Sequence, residues 1–341
     1  MFDTNKDMFL AIGGLVVLGC GIGIGSVWRN RRPTPQAEDF HYALDKVKKY
    51  YNLHRELLPG PVDKVWVQSN LDVETIDWLE DKTSKGFWSN FYMHHAMTVL
   101  LKLGFSKTDC GGILNRDMYV FSKDQLRSLL PKGFKPKLIM DVGAGSGTIA
   151  EKAREVLGVE AENTYAIEVS GPMIDVLEQR GFRTVTVESF NNPYYALKFD
   201  FLMCLNVIDR VDDPKMLLKT LSQRLAPDGL LLIAIVLPYC DGVEHGPKLV
   251  KPARPLTEMN GFDCKSKSNL EASLRRFIMH VLPDYNLEPV SVTKVPYLSS
   301  GDLYQSWYTL PDVLMVLKKG TGGMKGVAGA IGGPEEVRPE L

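Results

Sequence analysis

From Leu138 onward, short apolar runs alternate with amphipathic stretches, and that alternation limits the fold more than any other feature. "LIMDVG" (138–143), "TYAIEVS" (164–170), "RTVTVES" (183–189), "FDFLMCLNV" (199–207) and "GLLLIAIVLP" (229–238) read as strands. "GTIAEKAREVLG" (147–158), "GPMIDVLEQRG" (171–181) and "PKMLLKTLSQRLA" (214–226) between them read as helices. A chain of this pattern builds a mostly parallel sheet with helices on both faces, and its ligand sits at the carboxyl ends of the strands. "NLEPVSVTKVPYL" and "DVLMVLKK" (312–319) add two late strands.

The segment before the sheet is helical. "FHYALDKVKKYYNLHRELL" (40–58) has helical periodicity, and further helices are expected at about 70–82 and 89–105. "MYVFSKDQLRSLL" (118–130) reads as a short strand, Ser122 as N-cap, and a helix. The sequence divides into an anchor (1–28), a linker and helix (29–60), an N-terminal helical region (61–131), the alternating domain (132–319) and a Gly- and Pro-rich tail (320–341) expected to be disordered.

Met8 to Val27 carries no charge over 20 residues and is followed by Arg29, Arg31 and Arg32. A helix of that length covers the hydrocarbon core of a bilayer, and the run exceeds a signal-peptide core. The expectation is a retained transmembrane helix, with the arginines and all that follows on the cytosolic side. The endoplasmic reticulum and the mitochondrion are the candidate membranes.

Charge and cysteine content narrow the partners. Forty Lys and Arg against 41 Asp and Glu leave no basic excess for nucleic acid. Five cysteines without a C-x-x-C pair favour free thiols in a reducing compartment, although spacing leaves a single bridge open. His94 and His95 are adjacent on a helix, point in different directions and make a poor metal pair. No metal is expected.

"DVGAGSG" (141–147) follows the first strand and opens a helix. Its glycines allow a tight turn and a close ligand approach. A dinucleotide fingerprint would need Gly or Ala where Thr148 stands. The spacing instead resembles the S-adenosylmethionine loop of class I methyltransferases. Glu168 ends the second strand, where a carboxylate accepts ribose hydroxyls, and it supports an adenosine ligand of either kind.

The fourth strand ends in "CLNVIDRVDDP" (204–214). Asn206, at its carboxyl end beside the first strand, falls near the transferring methyl group. Asp209 falls on the substrate side, and Asp212 to Pro214 cap the next helix. Methyl transfer from a sulfonium is an in-line displacement that needs an unprotonated nucleophile. Imidazole, with a pKa near 6.5, is such a nucleophile at neutral pH. A carboxylate that accepts one ring N–H leaves the lone pair on the other nitrogen, a role open to Asp209.

These segments, with "LLIAIVLPYCDGVE" and "VPYLSSGDLYQSWYTLPDVLMVLK", come in an order that resembles the DREV family, the methyltransferase-like protein nine group, over roughly residues 62–319. The resemblance implies a class I Rossmann-like methyltransferase sheet and an enzyme that methylates the pros nitrogen (Nδ1) of histidine in His-x-His motifs of proteins. By position, Asp141, Gly143, Gly145 and Gly147 would hold the methionine end of S-adenosylmethionine, and Glu168 its ribose. Asn206 and Tyr297 would complete that pocket. Asp209 would orient the target imidazole, with Tyr308 lining the same cleft. The expected partners are histidine-containing proteins or peptides and, through the N-terminal helix, a membrane. Two other readings stay open: a small-molecule methyltransferase for a lipid or quinone at a membrane, and a catalytically inactive cofactor-binding scaffold.

Overall fold

The computed structural model of the chain describes residues 40–320, apart from 59, 86, 117, 196, 247, 257–269 and 303. The candidate membrane segment 8–27, the linker 29–38 and the tail beyond 320 lie outside the described residues.

Eight strands form one mixed sheet: β1 (Met118–Tyr119), β2 (Ile139–Val142), β3 (Thr164–Ile167), β4 (Arg183–Thr184), β5 (Phe199–Leu205), β6 (Leu225–Val236), β9 (Leu287–Ser300) and β10 (Trp307–Lys319). Their order is β1-β9-β10-β6-β5-β2-β3-β4. The inner pairs β6/β5, β5/β2, β2/β3 and β3/β4 are parallel. β10 runs antiparallel to both β6 and β9. This is a Rossmann-like methyltransferase sheet with a reversed final hairpin. β7 (Val243–His245) and β8 (Lys248–Val250) make a separate small hairpin.

The helices are α1 (Phe40–Lys48), α2 (Val73–Ser84), α3 (Phe87–Lys102), α4 (Lys107–Ile113), α5 (Lys123–Leu129), α6 (Thr148–Leu157), α7 (Gly171–Gln179), α8 (Pro214–Arg224) and α9 (Leu270–Arg276), besides shorter turns. Side chains alternate across a strand, so each central strand feeds two cores. Met140, Leu202, Cys204, Ile233 and Ile235 face Leu218 and Leu221 of α8 and Leu274 of α9. Ile139, Phe201, Met203, Leu232 and Ala234 face Ala150 and Ala153 of α6 and Leu126 of α5. All of these residues are fully buried. Continuous apolar strands of this kind are what burial on both faces requires.

Ser122 caps α5 as its sequence suggests: its Oγ accepts from Gln125 N at 3.0 Å and Gln125 Oε1 accepts from Ser122 N at 3.0 Å. The helical region is not separate from the sheet. Its β1 pairs with β9, and Val67 and Val292 are joined by a 2.8 Å backbone hydrogen bond.

Several expectations are corrected. Among the described residues no helix is long and apolar enough to cross a membrane, so the membrane-anchored reading is not supported. "RTVTVES" is a strand only at Arg183 and Thr184. Thr186 then caps a helix at Val187–Asn191, its Oγ1 accepting from Ser189 N at 3.2 Å, which diverts the β-branched run. The helix expected over 40–58 ends at Lys48, and 3₁₀ turns follow. Cys110 and Cys204 are free and buried, but Cys240 is disulfide-bonded, against the expectation of free thiols.

Candidate active site

The glycine loop between β2 and α6 is shaped by close approach. Gly143 has φ +76°, and a Cβ there would lie 2.4 Å from Val207 Cγ2. Gly147, the N-cap of α6, has φ +81°, and a Cβ would lie 2.7 Å from Leu177 Cδ2. Both positions exclude other residues by conformation and by space. The loop hangs on β3: Gly143 N and Ala144 N both donate to Ile167 O, at 2.8 and 3.0 Å.

Glu168 finishes that attachment. Its Oε2 accepts from Gly145 N at 2.8 Å, and its Oε1 accepts from Val169 N at 2.7 Å and Ser170 N at 3.0 Å. Each carboxylate oxygen has two lone pairs, so capacity remains for ribose hydroxyls.

Asp141, Gly143, Gly145, Leu205, Tyr297 and Arg116 line one cleft at the carboxyl ends of β2 and β5. Asp141 is buried, and its Oδ1 has no hydrogen-bond partner among the described residues. Burial, helped by the nearby Glu168 charge, raises its carboxyl to about 7. Tyr297 donates its hydroxyl to Met118 Sδ at 2.7 Å. Burial, with the Asp312 charge behind it, pushes that phenol up.

Asn206 directly follows Leu205, in the left-handed region at φ +57°. Its backbone N donates to Ala234 O at 2.9 Å, and its Nδ2 donates to Asp312 Oδ2 at 2.9 Å. Its Oδ1 is buried and has no partner among the described residues. Asp209, three residues on, is 3% exposed. Its Oδ2 pairs with Arg210 Nε at 3.2 Å, and its Oδ1 is buried without a partner among the described residues. Burial raises the Asp209 carboxyl, the Arg210 guanidinium opposes that rise, and Asp241 adds to it.

The sequence-predicted residues therefore fall into three places. Asp141, Gly143, Gly145 and Tyr297 line the cleft, with Gly147 and Glu168 supporting the loop. Asn206 and Asp209 sit at the end of β5, and Asp209 is covered. Tyr308, on β10, donates its hydroxyl to Asp302 Oδ2 at 2.9 Å rather than to Asp209. Burial and the Asp302 carboxylate push the Tyr308 phenol up to about 12, so it stays protonated and acts as a donor.

Two residues escaped the sequence reading. Asp312, fully buried on β10, accepts from Asn206. Its signal was a lone carboxylate at the head of the apolar run "DVLMVLKK". Arg116 lines the cleft and donates through Nη2 to Ser300 O and to Gly301 O, the latter at 2.6 Å, which ties the cleft to the turn after β9. It sits in "LNRDMY", and nothing local marks it.

These residues fit S-adenosylmethionine. The glycine loop opens on the cleft through Gly143 and Gly145, Glu168 offers acceptors to a ribose, and Asp141 offers an orphaned acceptor to a cationic amino-acid end.

Comparison with known proteins agrees with this geometry. Curated relatives include a ubiquinone biosynthesis O-methyltransferase of Actinobacillus pleuropneumoniae serotype 7, 27% identical over 30% of this chain and 47% of that protein. Another of that description, from Idiomarina loihiensis, is 30% identical over 30% of this chain and 43% of its own length. The chain thus spans about half the length of the curated relatives it matches. Among solved structures, an S-adenosylmethionine-dependent methyltransferase from Clostridium acetobutylicum is 17% identical over 54% of this chain and 84% of that one, with a TM-score of 0.34. At that score the likeness adds nothing to the strand order above. A model of the DREV methyltransferase family matches residues 50–319, the whole of the sheet and the helical region joined to it, and the chain belongs to that family.

Proposed function

We propose that the chain is an S-adenosylmethionine-dependent enzyme that methylates the pros nitrogen of histidine in His-x-His segments of proteins. The observation that carries this reading is Asp209 Oδ1, an acceptor with no partner among the described residues, one turn beyond the carboxyl end of β5.

S-adenosylmethionine, when bound, supplies a methyl group on a positively charged sulfur. The residues of the chain then have two tasks. Asp141, the glycine loop and Glu168 bind and fix the cofactor. Asp209 selects the ring tautomer of the acceptor: by taking the Nε2 proton in a hydrogen bond, it leaves the Nδ1 lone pair free to attack and stabilises the imidazolium that forms. The Arg210 guanidinium beside Asp209 favours the ionised carboxylate that this requires. Because Oδ1 is covered, a substrate ring reaches it only once its cover shifts.

A second reading is methylation of a small molecule such as a lipid or quinone; the curated relatives above are named for O-methylation in ubiquinone biosynthesis. A hydroxyl acceptor needs a base; His245 Nε2, on β7, lies 3.8 Å from Asp212 Oδ2 in the loop after β5.

Labelling with tritiated cofactor separates the readings. The purified chain is incubated with cofactor and cell extract, and the protein fraction is hydrolysed. Label recovered as pros-methylhistidine is expected. Label in tele-methylhistidine, or only in the solvent-extractable fraction, overturns the histidine reading.

A further inference from the structure

The orphaned oxygens around the end of β5 share a chemical sign. Asp141 Oδ1, Asn206 Oδ1, Asp209 Oδ1 and Asp241 Oδ2 are all buried, and all lack partners among the described residues. Each is an acceptor. An unpaired buried polar atom is costly, so a ligand that pairs these atoms brings hydrogen-bond donors.

Three of the four are carboxylates and can only accept when ionised. Asn206 is different, because an amide presents either an oxygen or an NH₂ group. Its orientation is set from behind. Asp312 lies at 0% exposure between β6 and β9, opposite Val236 and Val295. Its Oδ1 is taken by Val313 N at 3.0 Å, which leaves Oδ2 for Asn206 Nδ2 at 2.9 Å. When ionised, the carboxylate cannot donate, so the amide cannot turn over without setting oxygen against oxygen.

We propose that Asp312 is a positioning residue, which holds the Asn206 amide so that Oδ1 is offered as an obligate acceptor to an N–H donor of the bound ligand. The donor is either the cofactor's amino group or a nitrogen of the substrate. The inference rests on the methyltransferase reading and not on which acceptor is methylated.

The chemistry gives a test by exchange. In Asp312→Asn, Val313 N still needs an acceptor, so the new amide turns its oxygen there and its NH₂ toward Asn206. Asn206 must then flip and show NH₂ to the ligand. In the swap Asn206→Asp/Asp312→Asn, the new carboxylate accepts from residue 312 with one oxygen and offers the other outward. Side-chain volume and total charge are unchanged.

The measurement is calorimetric binding at pH 8.5, where Asp312 is ionised, with S-adenosylmethionine and with 5′-methylthioadenosine, which lacks the amino group. A decapeptide containing His-Ala-His is titrated in a third arm. Asp312→Asn is expected to weaken one ligand at least 10-fold, and the swap to restore it to within about 3-fold of wild type. Loss for S-adenosylmethionine with 5′-methylthioadenosine unchanged assigns the donor to the cofactor's amino group. Loss confined to the peptide assigns it to the substrate. Asn206→Ala, which leaves β10 untouched, must show the same loss and covers the case in which Asp312→Asn fails to fold. Unchanged affinities in Asn206→Ala, or a folded swap that restores neither ligand, overturn the proposal. Failure of the wild type to bind S-adenosylmethionine would instead remove the methyltransferase reading beneath it.

Discussion

Gly145 N donates to Glu168 Oε2 at 2.8 Å, so the glycine loop is tied to the acid at the end of β3. The same carboxylate also takes Val169 N and Ser170 N at the start of α7. Glu168→Ala therefore removes a ribose acceptor and loosens the loop together. Hydrogen bonds to a charged group contribute roughly 1.5–3 kcal/mol, or about 10- to 100-fold in affinity. Calorimetric titration with S-adenosylmethionine should show a loss in that range. An unchanged Kd would remove Glu168 from the site.

Gly143 is held by conformation and by Val207. Gly143→Ala places a Cβ 2.4 Å from Val207 Cγ2, at φ +76°. The expected cost is about 1–3 kcal/mol in stability, with loss of cofactor binding as the loop shifts. Adding Val207→Ala relieves the clash but not the backbone strain, so the double variant should recover only part of the lost Tm. Full recovery would mean that the left-handed backbone matters little.

The sheet was legible because its strands are buried on both faces and read as continuous apolar runs ending in glycine or an acid. The late hairpin was legible for the same reason, although β10 begins at Trp307, five residues before Asp312. "RTVTVES" misled because three β-branched residues outweighed a single capping threonine, Thr186. Among site residues, Asp141, the glycines and Glu168 could be placed because strand ends and tight turns have local signatures. The Asn206–Asp312 bond joins positions 106 residues apart, and the β5–β6 and β6–β10 pairings together bring them into contact. No local pattern announces such a contact, and the same holds for Arg116 and the turn at Gly301.

Asp141 and Asp312 give the protein's stability a definite pH dependence. Burial raises both carboxyls to about 7 from an ordinary 3.8. The folded state therefore keeps protons that the unfolded chain has released. The sign follows: their contribution to stability is full below about pH 3.8 and is lost as pH rises toward 7. Asp312→Asn cannot titrate, so its Tm should gain on that of wild type as pH rises through this window and run parallel to it above. Calorimetric scans at half-unit steps read this difference. Curves that run parallel throughout would show that Asp312 titrates normally.

Asp209 separates binding from chemistry. It lies outside the residues lining the cleft and is paired with Arg210 at 3.2 Å. Asp209→Ala should leave the Kd for S-adenosylmethionine within about 3-fold of wild type. Turnover with a His-x-His peptide should fall by about 10²–10⁴-fold, the range for loss of a group that positions or exchanges a proton. Asp209→Asn tests charge against shape. Its amide fills the same space, but the oxygen and the NH₂ compete for the Arg210 side, and the imidazolium formed on transfer has no counter-charge. If packing were the role, Asp209→Asn would keep wild-type turnover. If the carboxylate orients the ring, Asp209→Asn should fall nearly as far as Asp209→Ala. Because burial raises the wild-type carboxyl, turnover should also climb with pH until that group is ionised. The substrate imidazole also titrates, so a limb of the kcat–pH profile that is present in wild type and missing in Asp209→Asn ties the loss to the charge.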